Sequence, residues 1–219
     1  MNPALALIAL MSGAHAQDEA PAPTEAAAKG ATTYTLDAGR SVLAVLVKYD
    51  RNALISGHDH IVQASSFKGT VTWDPADPAA CAIDISFPVT ALVVDPPGSR
   101  ERAGLEGTTS DGDKKKIKDN FEGKSQLDAS SFPQIAFKST KCTANGDKVQ
   151  VTGPLTMHGV GHDVTASMKI TADGSAFSAK GTFSGTHADW KFDPFTAVFG
   201  SLRNDDALAF TVDVKGTAQ

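Results

Sequence analysis

The chain has 219 residues, 41% of them apolar, and a formal net charge of −5. This length and composition are sufficient for one domain with a real hydrophobic core. The acidic balance argues against a nucleic-acid partner, and the sequence contains no phosphate-binding loop, dinucleotide-binding motif or serine nucleophile elbow.

The chain begins with a pattern typical of exported proteins. Residues 1–16 hold an apolar run followed by small residues around His15, which predicts a signal peptide cleaved after Ala16. Residues 17–31 are rich in Ala, Pro and Glu and predict a flexible linker. The folded domain is therefore expected to span residues 32–219 of a periplasmic or secreted protein.

The rest of the chain has no apolar segment long enough to cross a bilayer, since the longest run is Val42 to Val47. We therefore expect no stable membrane insertion. In an exported protein, Cys81 and Cys142 are candidates for one disulfide. Two separate buried thiols are the alternative.

From Thr32 onward, apolar and polar residues alternate at period two, which is typical of antiparallel strands with one buried face. Asn-Gly at 145–146 and Asp-Gly at 173–174 predict tight hairpins. About eight such strands predict an all-β, closed antiparallel barrel, because closure removes the exposed strand edges. The predicted strands lie at residues 41–49, 55–64, 67–73, 81–94, 148–157, 162–170, 175–185 and 207–214.

Two short helices are predicted to interrupt the barrel. In the first, Ser110 is the cap, Ile117 and Phe121 lie one turn apart, and Gly123 ends the helix. Lysines at 114–118 alternate with acidic residues, which indicates a solvated helix face. Docking of these lysines to an anionic membrane is the weaker alternative.

The second helix is predicted directly after Asp193-Pro194, a common pair at helix starts. Phe195 and Phe199 are four residues apart, and Gly200 would end the helix. Both helices have only a narrow apolar stripe, as expected of a lid that lies on a barrel.

The histidines offer a rival interpretation. His58 and His60 are two residues apart, so on a strand both rings would point to one side, a spacing that metal sites use. A third ligand would have to come from His162, His187 or an Asp far along the chain. The preferred interpretation is a set of hydrogen-bonded imidazoles, with His158 and His162 solvated at the tip of a hairpin.

Small residues alternate with large ones on the predicted inner faces, as with Gly153 beside Leu155 and Gly181 beside Phe183. Glycine in a strand contributes no packing atoms, so either bends at barrel corners or free space must explain it. An eight-stranded barrel can hold one small ligand. We therefore expect a cavity, into which a side chain at 181 would project.

The segments 132–140, 151–165 and 189–214 resemble, in order and spacing, the YceI-like family of exported bacterial proteins. The resemblance covers about residues 34–214. It implies an extended, lipocalin-like barrel whose apolar channel holds an isoprenoid chain, such as a polyprenyl quinone or polyprenyl phosphate. The chain departs from the family pattern at Arg40-Ser41, in the longer segment that follows, and in an insertion at 95–113.

These observations predict a non-catalytic carrier that sequesters an apolar, isoprenoid lipid and needs no cofactor. Arg203 is expected to contact the head group at the barrel mouth. A homodimer is left open. The alternative is a metal-binding protein or metal-dependent enzyme built on the histidines named above. The residues expected to bind the lipid are Phe87, Phe121, Phe137, Leu155, Met168, Gly181, Phe183, Trp190, Phe195, Phe199, Arg203 and Phe210.

Overall fold

The structure is a computed structural model that describes residues 30–219. The predicted signal peptide and all but the end of the predicted linker lie outside the described residues. The strands are β1 Thr32–Leu36, β2 Val42–Tyr49, β3 His60–Ala64, β4 Lys68–Trp73, β5 Ala82–Pro88, β6 Leu92–Val94, β7 Gln134–Lys138, β8 Lys141–Asn145, β9 Lys148–Met157, β10 Val160–Ala172, β11 Ala176–Thr186, β12 Thr196–Ala197 and β13 Leu202–Ala218. The α-helices are α1 Ser99–Arg102 and α2 Asp111–Glu122.

Eight antiparallel strands form a closed barrel in the order β1-β4-β5-β7-β9-β10-β11-β13. Closure comes from the last strand, in which Ala218 pairs with Tyr34 of β1. The predicted barrel is confirmed. Its strands alternate between buried and exposed residues, most regularly in β9, as expected of strands with one face on a core.

The longest strand, β13, has 17 residues and more neighbours than a simple barrel requires. Its final residues pair with β1, whereas its stretch from Asn204 to Asp213 pairs with β2. Strands β3 and β6 then extend this second wall. We call the end where β2 stops and β13 begins the open end, and the opposite end, where β1 closes the ring, the base.

Helix α2 covers the outer edge of β6 at the open end. The Lys118 Nζ donates to the backbone oxygens of Thr90 (2.9 Å) and Leu92 (2.6 Å), which protects carbonyls that no further strand pairs with. The predicted cap is present, since the Ser110 hydroxyl accepts from the Asp113 N–H at 3.1 Å. The prediction of this helix is confirmed.

The second predicted helix is wrong, although the number of α-helices is two. Residues 196–197 form β12, which pairs with Leu202 and Arg203 at the start of β13. A helix of about six residues is unstable alone, and here the free end of a long strand offers hydrogen bonds instead. The second α-helix is α1, within the insertion at 95–113.

The buried side chains inside the barrel form two groups. One lies at the base and includes Tyr34, Trp73 and Phe177, with the Tyr34 and Phe177 ring centroids 5.2 Å apart. The other lies toward the open end around Trp190, which is fully buried. The longest helix among residues 30–219 has 12 residues, and none of the helices there could span a bilayer.

Candidate functional site

A cavity of about 940 Å³ runs inside the barrel from the two groups of buried side chains to the open end. Apolar side chains make up most of its wall, because residues on the inner faces of the strands point into it. Where it reaches the surface, its lining becomes polar and includes His58, Thr108 and Asp113. The wall can therefore bury an apolar ligand while the mouth remains in water.

Most of the side chains expected to bind lipid line this cavity. Phe183 and Phe210 face each other across β11 and β13, with their ring centroids 4.4 Å apart and nearly parallel. Together they form a stacked aromatic pair on one wall. The expected residues that line the cavity are Phe87, Phe121, Phe137, Leu155, Met168, Phe183, Phe195 and Phe210.

Gly181 points toward the interior but does not line the cavity. A Cβ built on this residue would collide with the Met168 sulfur and with the backbone oxygen of Ser167 on β10. The space beside Phe183 is thus already occupied by Met168. The expectation that a side chain at 181 would project into free volume is wrong, since glycine here allows close strand packing.

Trp190, Phe199 and Arg203 also lie outside the cavity wall. The Trp190 indole is buried behind the wall and donates to the Leu155 carbonyl at 2.7 Å. Phe199 is fully exposed on the turn that follows β12. Arg203 pairs with Asp50 on the outer surface, with 2.6 Å between Nε and the carboxylate.

A polar cluster at the mouth is centred on Asp95, the residue that directly follows β6. Its carboxylate accepts from His60 Nδ1 (2.8 Å), the Ile61 N–H (2.8 Å) and the Thr109 hydroxyl (2.6 Å). Arg100 lies 3.2 Å away and also donates to the Asp59 carbonyl at 2.7 Å. These contacts tie the insertion at 95–113 to the rim of the barrel.

Burial of Asp95 would by itself raise the pKa of its carboxyl, because a charge loses hydration. The hydrogen bonds from His60, Thr109 and the Ile61 N–H outweigh burial, so the pKa falls well below its ordinary value. Asp95 is therefore a stable anion that organises the mouth, rather than a proton donor.

The histidines do not gather as the rival interpretation requires. The ring centroids of His58 and His60 lie 6.4 Å apart, and His60 is engaged with Asp95. His187 is buried and donates from Nδ1 to the Asp206 carbonyl at 2.8 Å; burial lowers its pKa. Within residues 30–219, no three His, Cys, Asp or Glu side chains converge in a way that would hold a metal ion.

An aromatic cluster of Phe132, His158 and Phe192 covers the β9–β11 side of the open end. The predicted hairpin turn after β9 is present, with Met157 paired to Val160. His158 is half-buried rather than solvated, because its ring packs between Phe132 and Phe192 at 5.1 and 5.4 Å. Phe192 in turn lines the cavity.

The sequence interpretation missed two parts of the site. The first is the inner face of β2, where Leu43, Val45 and Val47 line the cavity. The available signal was the continuous apolar run from Val42 to Val47, which is typical of a strand covered on both faces. The second is the cluster of Asp95 and Arg100, for which the signal was an acidic residue directly after an apolar strand, followed five residues later by an arginine.

The cysteines lie at the base, far from the mouth. Cys81 precedes β5 and Cys142 belongs to β8, and the structure bonds the two sulfurs, with their Cα atoms 6.0 Å apart. The bond fastens the β8–β9 hairpin to the barrel wall.

Comparisons with known proteins agree on one family. The family model of the YceI-like domain matches residues 34–216. A UPF0312 protein of Yersinia pestis is 30% identical over 111 residues, which cover 51% of this chain and 48% of that protein. Protein YceI of Escherichia coli O157:H7 is 28% identical over 108 residues, or 49% of this chain and 47% of that protein. The chain thus spans about half the length of the curated relatives it matches.

Two solved structures share the fold. Burkholderia cenocepacia BcnA superposes with a TM-score of 0.61 at 20% identity, covering 82% of this chain and 98% of that chain. A Campylobacter jejuni YceI protein gives a TM-score of 0.53 at 16% identity, covering 75% of this chain and 87% of that chain. At these identities the likeness establishes the barrel alone.

Proposed function

Since the chain belongs to the YceI-like family, whose barrel supports a binding or carrier role, we propose that it sequesters an apolar polyisoprenoid lipid in the periplasm without catalytic turnover. The observation that carries the proposal is the apolar cavity of about 940 Å³, whose lining becomes polar at the open end of the barrel. Such a volume is near the upper limit of ligand pockets, which run from about 300 to 1,000 Å³.

Burial of hydrocarbon would supply the binding free energy. Each CH₂ group removed from water contributes about 0.8 kcal/mol, so one five-carbon isoprene unit contributes about 4 kcal/mol before the cost of ordering the chain. The stacked rings of Phe183 and Phe210 give the isoprenoid units an aromatic wall to pack against. Strong polar anchors inside the cavity are not required.

The head group would lie at the mouth, beside the polar cluster of Asp95 and Arg100. Arg203 is not its partner in this proposal, because its guanidinium is paired with Asp50 outside the cavity. His58 and Thr108, which are exposed and line the mouth, are better placed to contact a quinone oxygen or a phosphate.

The direct test is organic extraction of the purified protein followed by mass spectrometry, combined with titration of the lipid-free protein with polyprenyl quinones of increasing length. Affinity should rise with each isoprene unit until the cavity is full. Equal affinity for short and long chains would contradict burial as the driving force. Elemental analysis of the same sample tests the metal alternative.

A matched pair of variants locates the ligand. Ala166 lines the cavity from β10, whereas Ala209 is exposed on β13. Ala166→Phe should reduce quinone affinity at least tenfold because the ring occupies ligand volume, and Ala209→Phe should leave affinity unchanged. Both variants must retain the thermal transition of a folded barrel. Unchanged affinity in a folded Ala166→Phe protein would place the ligand elsewhere.

A further inference from the structure

Four large apolar side chains are exposed together at the open end. Leu54 is 90% exposed, Ile55 41%, Val198 56% and Phe199 109%. They belong to two neighbouring loops, since the Ile55 N–H donates to the Ser201 carbonyl at 2.9 Å. We call these four residues the apolar tip. Exposed apolar clusters of this kind mark interaction surfaces.

The apolar tip borders the mouth of the cavity. Ser56 and Gly57 follow Leu54 and Ile55 in the chain and line the cavity, and Ala197 and Leu202 do the same on either side of the second loop. Any surface that covers the tip therefore also meets the mouth.

The backbone of the tip is held in an unfavourable conformation. Val198 and Phe199 have φ of 51° and 54°, in the left-handed region that β-branched and bulky residues rarely adopt. A hairpin turn of this kind normally has Asn, Asp or Gly at such positions. Backbone strain and apolar exposure therefore occur at the same two residues. Strained residues of this kind cluster at functional sites, where the surrounding structure holds them in place.

Charges beside the tip are paired with one another. Arg51 bonds to Asp59 at 2.7 Å, and Arg203 bonds to Asp50 at 2.6 Å. Helix α2 also balances its lysines with acidic residues, as in the Lys115–Asp119 pair at 2.6 Å. Asp193, Asp205 and Asp206 line a surface groove together with Asp50 and Arg203. The surface beside the tip is therefore acidic on balance, which does not favour an anionic membrane.

We propose that the apolar tip inserts into the surface of a lipid bilayer and so places the mouth of the cavity against the membrane. Four side chains cover far less than the about 800 Å² per partner that a stable protein interface buries, but they suffice for shallow insertion between head groups. This inference rests on the proposed function, because a cavity that accepts lipid needs contact with its source.

The arrangement explains how a ligand would enter. A bilayer lipid would pass from the head-group region directly to the rim of the cavity, which Gly57 and Leu202 line. It would not cross open water.

The test measures co-flotation of the full chain with phosphatidylcholine vesicles in a density gradient. The wild-type protein should float, with little effect of added salt. Leu54→Ser combined with Phe199→Asn should reduce the floating fraction at least tenfold, since serine is polar and asparagine tolerates the left-handed backbone. Lys115→Gln is the matched control and should float like the wild type, because Lys115 is exposed on α2 and lies outside the tip.

Uptake of N-phenyl-1-naphthylamine, an apolar fluorophore that dissolves sparingly in water, separates membrane docking from ligand binding in the cavity. The double variant should bind the fluorophore like the wild type. If wild type fails to float, or if the variant floats equally well, docking is excluded. A variant that loses fluorophore uptake as well as flotation also overturns the proposal, because the tip would then belong to the binding site.

Self-association is distinguished by sedimentation. A concentration-dependent dimer that the double variant abolishes, without vesicle binding by the wild type, would show that the tip contacts a second copy of the chain and would overturn membrane docking. If the wild-type protein takes up no fluorophore at all, the proposed carrier function fails, whatever the flotation result.

Discussion

The base and the open end of the barrel differ in the residues that occupy their turns. At the base, the hairpins use Asn145-Gly146 and Asp173-Gly174, and only the glycines have positive φ, 63° and 86°. At the open end, His158, Val198 and Phe199 have positive φ. The base therefore has the turn residues that its backbone requires, whereas the open end places other residues in the same conformation.

Packing differs in the same direction. At the base, Tyr34 and Trp73 are buried and lie outside the cavity wall, and a disulfide fastens the β8–β9 hairpin. The open end contains the polar mouth of the cavity and exposed apolar residues. We infer that the base provides most of the stability of the domain, which allows the open end to keep free volume and strain for binding.

The largest expected difference is between two aromatic residues, one packed at the base and one on the cavity wall. Trp73 is buried at the base and lies outside the cavity wall, so Trp73→Ala should lower the free energy of unfolding by about 3–5 kcal/mol. Phe183 lines the cavity, so truncation adds to a space that already exists, and Phe183→Ala should cost about half as much while weakening quinone binding. Urea denaturation of the lipid-free proteins measures both. Equal losses would show that the two ends are packed alike.

The disulfide is the next largest contribution. Cys81 and Cys142 are 61 residues apart in sequence, and a cross-link of this kind typically stabilises a domain by about 2–4 kcal/mol, chiefly by restricting the unfolded chain. The Cys81→Ser, Cys142→Ser double variant should lose that amount in urea denaturation yet bind quinone normally, because the bond is at the base. Thiol titration of the unfolded, unreduced wild type should find no free thiol; two free thiols would contradict the pairing.

At the mouth, Asp95→Asn should lower the free energy of unfolding by about 1–3 kcal/mol, because the amide cannot accept all the hydrogen bonds that the carboxylate accepts. The pKa of Asp95 is lower in the folded than in the unfolded protein, so its contribution is present above the ordinary value of 3.8 and is lost as pH falls below it. Wild type should therefore lose more stability than Asp95→Asn between pH 5 and pH 3 (approximate limits). Parallel pH profiles would contradict this role.

The barrel could be predicted from the sequence because its signals are local and repeated. Alternation in β9, β10 and β11 reports one buried face per strand, and the Asn-Gly and Asp-Gly pairs mark their hairpins. The cap at Ser110 likewise depends on residues three apart. Such patterns need no knowledge of distant contacts.

What could not be predicted depends on contacts between distant segments. The segment at 195–199 has helical spacing, but the free end of β13 recruits Thr196 and Ala197 as a strand. Gly181 lies on the expected inner face, yet Met168 from the next strand occupies the space beside it. The bond between His60 and Asp95 joins residues 35 apart, and no spacing rule connects them.

The smallest expected effect has opposite signs at the two ends. Val198→Asn should raise the free energy of unfolding by about 1 kcal/mol, because asparagine tolerates the left-handed conformation that valine resists. Gly146→Ala at the base, where φ is also positive, should lower it by a similar amount. Thermal denaturation of the two variants beside the wild type measures both changes. If Val198→Asn is neutral or destabilising, the turn is not strained, and the proposed division between a stable base and a strained open end loses its support at the apolar tip. If the variant is more stable and also floats less with vesicles, the strain at Val198 is maintained for docking rather than for folding.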